Sequence, residues 1–131
     1  MSAGVLVAAL AAGAGGALLR YLVSVLAARR AAARGDATPF PWAVLVVNVV
    51  GSAIGGAVLG LAQVGGVSAD ARLILLSGLC GGLTTFSTFG VETVQLVIDG
   101  RARAALVSVS ANLVLGLAAA TGGWLLARAL A

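Results

Sequence analysis

Apolar residues run along this chain in four long stretches, and the polar residues gather between them. A helix crossing the hydrocarbon core needs about 20 apolar residues. Four segments meet that length: residues 3–28, 42–62, 73–98 and 104–127. The first link, RRAAARGDATPFP, is polar and closes on Pro39 and Pro41. The second, QVGGVSADAR, is shorter, and the third, DGRAR, reads as a tight turn. Short links imply antiparallel neighbours. The pattern therefore predicts one domain over residues 1–131, an all-α membrane protein of four transmembrane helices. The N-terminal run lacks a basic leader and outlasts a signal peptide's apolar core, so it is expected to be a retained span.

Within the spans, small residues recur at helical spacing. Gly51 and Gly55, then Gly56 and Gly60, are four apart, and Ser108, Asn112, Gly116, Ala120 and Gly123 fall on nearly one face. Gly13, Gly15 and Gly16 precede Arg20. Such stripes let helix backbones approach closely in lipid. The third span carries something different. Its stretch GLCGGLTTFSTFG holds four glycines, three threonines, one serine and two phenylalanines. Each glycine costs about 1 kcal/mol in a helix interior. Gly78, Gly81 and Gly82, followed by Thr84 and Thr85, predict a third helix broken at mid-membrane. Irregular backbone at that depth survives only against protein or a water-filled cavity. Freed carbonyls there are oxygen ligands for a hard cation.

Polar side chains inside spans are expensive and mark function by default. Asn48 has two readings, an interhelical hydrogen bond or a pore-lining group that replaces water around an ion. Arg20 either snorkels as an anchor or places positive charge at the mouth of an anion path. Glu92, near the end of the third span, caps, pairs with an arginine or faces a water-filled vestibule, and the structural role is favoured. Four of the six aromatics, Tyr21, Phe40, Trp42 and Trp124, lie near span ends, as an interfacial belt requires. Phe86 and Phe89 alone lie in mid-span. They are three apart and share a face. Their ring edges carry partial positive charge, and the hydroxyls of Ser87 and Thr88 can donate hydrogen bonds to an anion.

Composition narrows the class further. The chain has 131 residues, of which 61% are hydrophobic and 9% charged, with a mean hydropathy of +1.14. A soluble domain carries about 25% charged residues. The net charge is +4 and every basic residue is arginine. No dense basic run with interleaved aromatics exists, which excludes nucleic acid as a partner. There is one cysteine and no histidine. An intrachain disulfide is impossible, a zinc site is not expected, and Cys80 reads as a small hydrophobe. With no nucleophile–base pair, the chain is not expected to be an enzyme. Arg29, Arg30, Arg34, Arg101 and Arg103 fall at one end, against Arg72 and Arg128 at the other. That bias predicts a preferred orientation with both termini outside.

Three blocks carry a family resemblance: GGALLRY over residues 15–21, VNVVGS over 47–52, and GLCGGLTTFSTFGVE over 78–92. In these the chain resembles the Fluc/CrcB family of small fluoride channels over essentially its whole length. The third block is the most specific. The resemblance implies a passive, fluoride-selective channel that lowers cytoplasmic fluoride, in the plasma (inner) membrane. It implies a dimer of two antiparallel subunits enclosing two pores, with a structural sodium ion at its centre. The sodium would be held by the backbone carbonyls of Gly81 and Thr84. Asn48, Phe86, Phe89, Ser87 and Thr88 would line the pore, and Arg20 would stand in the vestibule. Glu92 matches the family's third-helix acid. On the fourth helix the chain carries Ser108 and Asn112 where the family usually has serine or tyrosine, so their place in the pore stays open. The arginine bias departs from a subunit that inserts both ways. The expected assembly is a homodimer, or a heterodimer with an oppositely oriented homologue, in contact with membrane lipid. The alternative reading is a small proton-coupled multidrug exporter, which needs a deep ionisable group; only Arg20 and Glu92 are on offer. A purely structural membrane subunit would leave the clustered hydroxyls unexplained. Residue spacing alone does not name the ion; fluoride rests on the resemblance.

Overall fold

The computed structural model describes residues 2–37 and 39–131. Four helices are long and apolar enough to cross a membrane: α1 (Ala3–Ala33), α2 (Trp42–Gln63), α3 (Ala69–Ile98) and α4 (Ala102–Leu130). Among the described residues there is no strand. All four helices overrun the predicted spans, α2 by a single residue. A 29-residue helix such as α4 is about 43 Å long, against a hydrocarbon core of about 30 Å. The excess places Arg29, Arg30 and Arg103 on helical backbone beyond the apolar core, which hydropathy alone does not register.

Local chemistry sets the boundaries. Ser2 Oγ accepts from the Val5 amide at 3.3 Å and opens α1. Ser68 Oγ accepts from the Ala71 amide at 3.2 Å and opens α3, four residues earlier than hydropathy alone places it. Gly65 and Gly100 close α2 and α3 at φ of 77° and 73°. In each turn the following amide reaches back to the last helical turn: Gly66 N to Leu61 O at 2.9 Å and Arg101 N to Leu96 O at 2.8 Å. Only glycine takes that left-handed conformation without a Cβ penalty.

The bundle is assembled by small residues. The most extensive contacts join α2 to α4 and α1 to α3. On α2, Gly56 lies against the Ala120 backbone and Gly60 against Trp124; a Cβ on Gly60 would stand 2.6 Å from the Trp124 carbonyl. Beyond this contact, Trp124 Nε1 donates to Gln63 Oε1 at 2.9 Å. Gly16 of α1 is buried against α3. Many leucines and valines face outward: Val7, Leu10, Leu18, Val91, Leu113 and Leu117 are all exposed, while Val44, Leu45, Val47, Val58, Leu83 and Leu96 are buried. Large apolar groups on the outer surface, with small residues at the closest helix contacts, are expected when lipid, not water, is the solvent.

Helix α3 differs from its sequence expectation. It is bent by 25°. Its glycines do not unwind it. Residues Ile74–Cys80 form a π-helical stretch, and Gly81–Leu83 continues as α-helix. The reason is tertiary: Gly78 lies against Ala9 and Gly82 against Gly13 of α1, where any side chain would collide with backbone. Close packing thus offsets their poor helix propensity. Regular helix lapses over residues 84–86. Thr84 is extended at φ −78° and ψ 160°, and helix resumes at Ser87.

Candidate functional site

The lapse at residues 84–86 is held by a side chain from α2. Asn48 Oδ1 accepts from the Thr85 amide at 2.9 Å, and Asn48 Nδ2 donates to the Thr85 carbonyl at 3.2 Å. The side-chain amide thus takes the place of a backbone partner at both polar groups of one residue. This pairing fixes which way the Asn48 amide points, because the backbone N–H can only donate. The second Nδ2 proton goes to Asn112 Oδ1 on α4 at 3.0 Å. Asn112 Nδ2 in turn donates to the Ser108 carbonyl at 2.9 Å. Asn48 therefore joins α2, α3 and α4, and both of its donor protons are engaged.

Thr85, which the sequence reading did not single out as a site residue, is the hub. It is buried, at 7% exposure. Its Oγ1 accepts from the Thr88 amide at 3.1 Å, capping the helical segment Ser87–Ile98. It donates to Thr88 Oγ1 at 3.0 Å and lies 3.4 Å from Ser87 Oγ. The available signal was a threonine three residues ahead of another at a helix restart, the spacing of a side-chain cap. Because Thr85 supplies the proton in the Thr85–Thr88 bond, the Thr88 hydroxyl keeps its own proton to donate elsewhere.

Arg20 and this network meet at one cavity. Ala17, Arg20, Tyr21, Ser24, Val44, Val47, Thr85 and Thr88 line a space of about 230 Å³. Among the described residues no carboxylate lines it. It presents one guanidinium, four hydroxyl-bearing side chains and apolar walls, a combination suited to a small anion. Phe86 and Phe89 flank the network on the outer face, with ring centroids 6.1 Å apart and planes tilted by 45°. Phe86 is 86% exposed, although it is a large apolar residue next to a polar cluster.

Other candidates lie apart from this cluster. Glu92 lines a second, larger cavity of about 590 Å³ with Arg30, Arg34, Gln95 and Asp99. Its Oε2 is buried without a hydrogen-bond partner. Ser24 borders both cavities. Ser108 is fully buried, and its Oγ also lacks a partner. It enters the network through its carbonyl rather than its hydroxyl. Asn112 is brought to Asn48, so this fourth-helix residue belongs with the site.

For a cation, the relevant groups are the carbonyls of Gly81 and Thr84. A continuing helix would aim the Thr85 amide at the Gly81 carbonyl; here that amide goes to Asn48. Thr84 Oγ1 and Thr84 N both donate to the Cys80 carbonyl at 2.9 Å, and the extended backbone takes the Thr84 carbonyl out of the helical pattern. Among the described residues no group of three or more acidic, histidine or cysteine side chains could hold a metal.

Taken together, the four spans define a small multi-pass membrane protein with a cationic, hydroxyl-lined cavity. Over residues 7–124 the chain matches the family described as "CrcB-like protein, Camphor Resistance (CrcB)". It is 47% identical over 117 residues to a protein of Renibacterium salmoninarum named "Fluoride-specific ion channel FluC", covering 88% of this chain and 93% of that one. It is 44% identical over 108 residues to "Fluoride-specific ion channel FluC 1" of Thermobifida fusca, covering 82% of each. It is 41% identical over 118 residues to "Fluoride-specific ion channel FluC" of Thermus thermophilus, covering 90% of each. The chain belongs to this CrcB family, an ion-channel family and not an enzyme family.

Proposed function

We propose that this chain is a passive fluoride channel. The observation that carries the reading is the shared cavity of Arg20, Thr85 and Thr88, set in a chain whose relatives are named for fluoride. Fluoride is small, strongly hydrated and a strong hydrogen-bond acceptor. To cross, it must exchange water for donors that hold it without trapping it. Arg20 supplies long-range attraction at the entry. Thr88 has an uncommitted O–H, and Ser87 adds a second hydroxyl one residue away. Phe86 and Phe89 present ring edges whose partial positive charge replaces part of the lost hydration. No residue here needs to change its protonation state, so flux runs down the fluoride gradient. In a cell that accumulates fluoride, the result is export and a lower cytoplasmic concentration.

The assembly is part of the proposal. Phe86, at 86% exposure beside the hydroxyl cluster, is available for a second subunit to cover. Two antiparallel copies, or this chain with an oppositely oriented homologue, would place such rings along two pores. The lapse at residues 84–86 would then lie near mid-membrane, covered by protein as depth requires. There the carbonyls of Gly81 and Thr84 from each subunit would face one another and hold a sodium ion, which would supply fixed positive charge at the dimer centre. The arginine bias favours subunits inserted with both termini outside.

A proton-coupled exporter has less support. Its central requirement is a deep carboxylate at the substrate path, and Glu92 lines the cavity at the arginine-rich end instead. Liposomes loaded with fluoride and reconstituted with the chain should empty into fluoride-free buffer once charge is balanced. Retention of fluoride would contradict the reading.

A further inference from the structure

At the arginine-rich end of the bundle, an open groove of about 410 Å³ is lined by Phe40, Arg101, Arg103, Ala104 and Val107. It lies between the segment leading into α2 and the start of α4. It is separate in chemistry from the cavity beside Thr88: no hydroxyl lines it, and among the described residues no carboxylate does either. Its mouth is basic, and its walls are apolar. Arg103 and Val107 are four apart on one helix and share a face. The charge therefore stands one turn above the methyl groups. The first turn of α4 has no acidic residue and no side-chain cap, so its free N–H groups add to the positive potential at the mouth. Val107 is 51% exposed.

We propose that this groove is a binding site for an anionic phospholipid. The headgroup phosphate would be held at Arg103, and the acyl chain would lie against Ala104, Val107 and the Phe40 ring. Charge complementarity selects the lipid class: a basic mouth over an apolar wall fits a phosphate attached to a hydrocarbon chain. The location agrees, because this end carries five of the chain's eight arginines and is expected to meet the anionic cytoplasmic leaflet. The site would also give the chain a preference for one leaflet that the channel cavity does not require.

A built-in reporter makes the proposal testable. The Trp42 ring lies 4.8 Å from the Phe40 ring, and Trp124 lies at the opposite end of the bundle. In a Trp124→Phe background, Trp42 fluorescence is followed in phosphatidylcholine vesicles containing brominated phosphatidylglycerol, against brominated phosphatidylcholine. The expected result is stronger quenching by the brominated anionic lipid. Arg103→Gln should lower that preference roughly fivefold, while Arg29→Gln, outside the groove, should leave it unchanged. Native mass spectrometry of the unsubstituted chain should show retained phosphatidylglycerol that Arg103→Gln loses. Equal quenching by both lipids would overturn the proposal, as would an equal loss in Arg29→Gln, which indicates diffuse surface charge. Loss of the preference on adding millimolar inorganic phosphate would also overturn it, in favour of a free-anion site.

Discussion

Asn48 and Thr85 are joined by two hydrogen bonds, Thr85 N to Asn48 Oδ1 at 2.9 Å and Asn48 Nδ2 to Thr85 O at 3.2 Å. One side chain on α2 thus completes the backbone of α3 where its own helix stops doing so. Both Asn48 protons are committed, the second to Asn112 Oδ1. Asn48 accordingly positions the hydroxyl donors of the site. To contact an anion directly it must first release Thr85 or Asn112.

This geometry gives Asn48→Asp a clear sign. A carboxylate can still accept from Thr85 N, but it faces the Thr85 carbonyl and Asn112 Oδ1 with no proton to offer. Each acceptor left unsatisfied costs roughly 1–3 kcal/mol, and the new charge repels fluoride. We expect slower fluoride efflux and a lower melting temperature in detergent. Faster efflux, or an unchanged melt, would contradict the clamp.

Thr85 and Thr88 should separate structure from conduction. Thr85→Val removes a buried cap and the centre of the hydroxyl network, so it should destabilise the fold by about 1 kcal/mol or more. Thr88→Val removes the uncommitted O–H but leaves the Thr88 amide bound to Thr85 Oγ1. With Ser87 Oγ 3.4 Å away to take over the Thr85 proton, it should reduce fluoride efflux and lower thermal stability less than Thr85→Val does. Paired melting and efflux measurements check both; a Thr88→Val channel as fast as the parent would remove that hydroxyl from the path.

Phe86→Ile keeps an apolar side chain at an exposed position but deletes the ring edge. Efflux should fall below detection while size-exclusion chromatography shows an unchanged assembly. Undiminished efflux would show that the ring is a packing residue.

Prolonged dialysis against sodium-free buffer should impair conduction if the Gly81 and Thr84 carbonyls hold sodium, and sodium should restore it. Efflux indifferent to sodium, lithium or a bulky organic cation would argue against a carbonyl-bound ion.

The spans were legible because hydropathy and length are properties of single segments. The true ends of α3 and α4 were less so. Ser68 adds a capped turn ahead of the apolar run, and the arginines continue α4 beyond hydrocarbon without breaking helix. The position of the lapse in α3, at residues 84–86 rather than at the glycines, was less legible for a related reason. Propensity is local, whereas Gly78 and Gly82 are held helical by the α1 backbone packed on them. The lapse falls instead where Asn48 offers a substitute partner, 37 residues away in sequence. For the same reason Thr85 was legible as part of the helix break but not as a site residue, since its importance comes from Asn48 and Thr88 together and not from its own type. Asn48, Arg20 and Thr88 were visible as polar groups in apolar surroundings. That Arg20 and Thr88 line one cavity required the packing of α1 against α3.

The central claim is a path that passes fluoride in preference to other halides. Its most direct test is efflux from proteoliposomes loaded with equal fluoride and chloride, read simultaneously with two ion-selective electrodes after valinomycin is added to balance charge. The fluoride-channel reading predicts that fluoride empties rapidly while chloride is retained, and that Thr88→Val slows the fluoride trace. Parallel release of both ions, or release of neither, would contradict it.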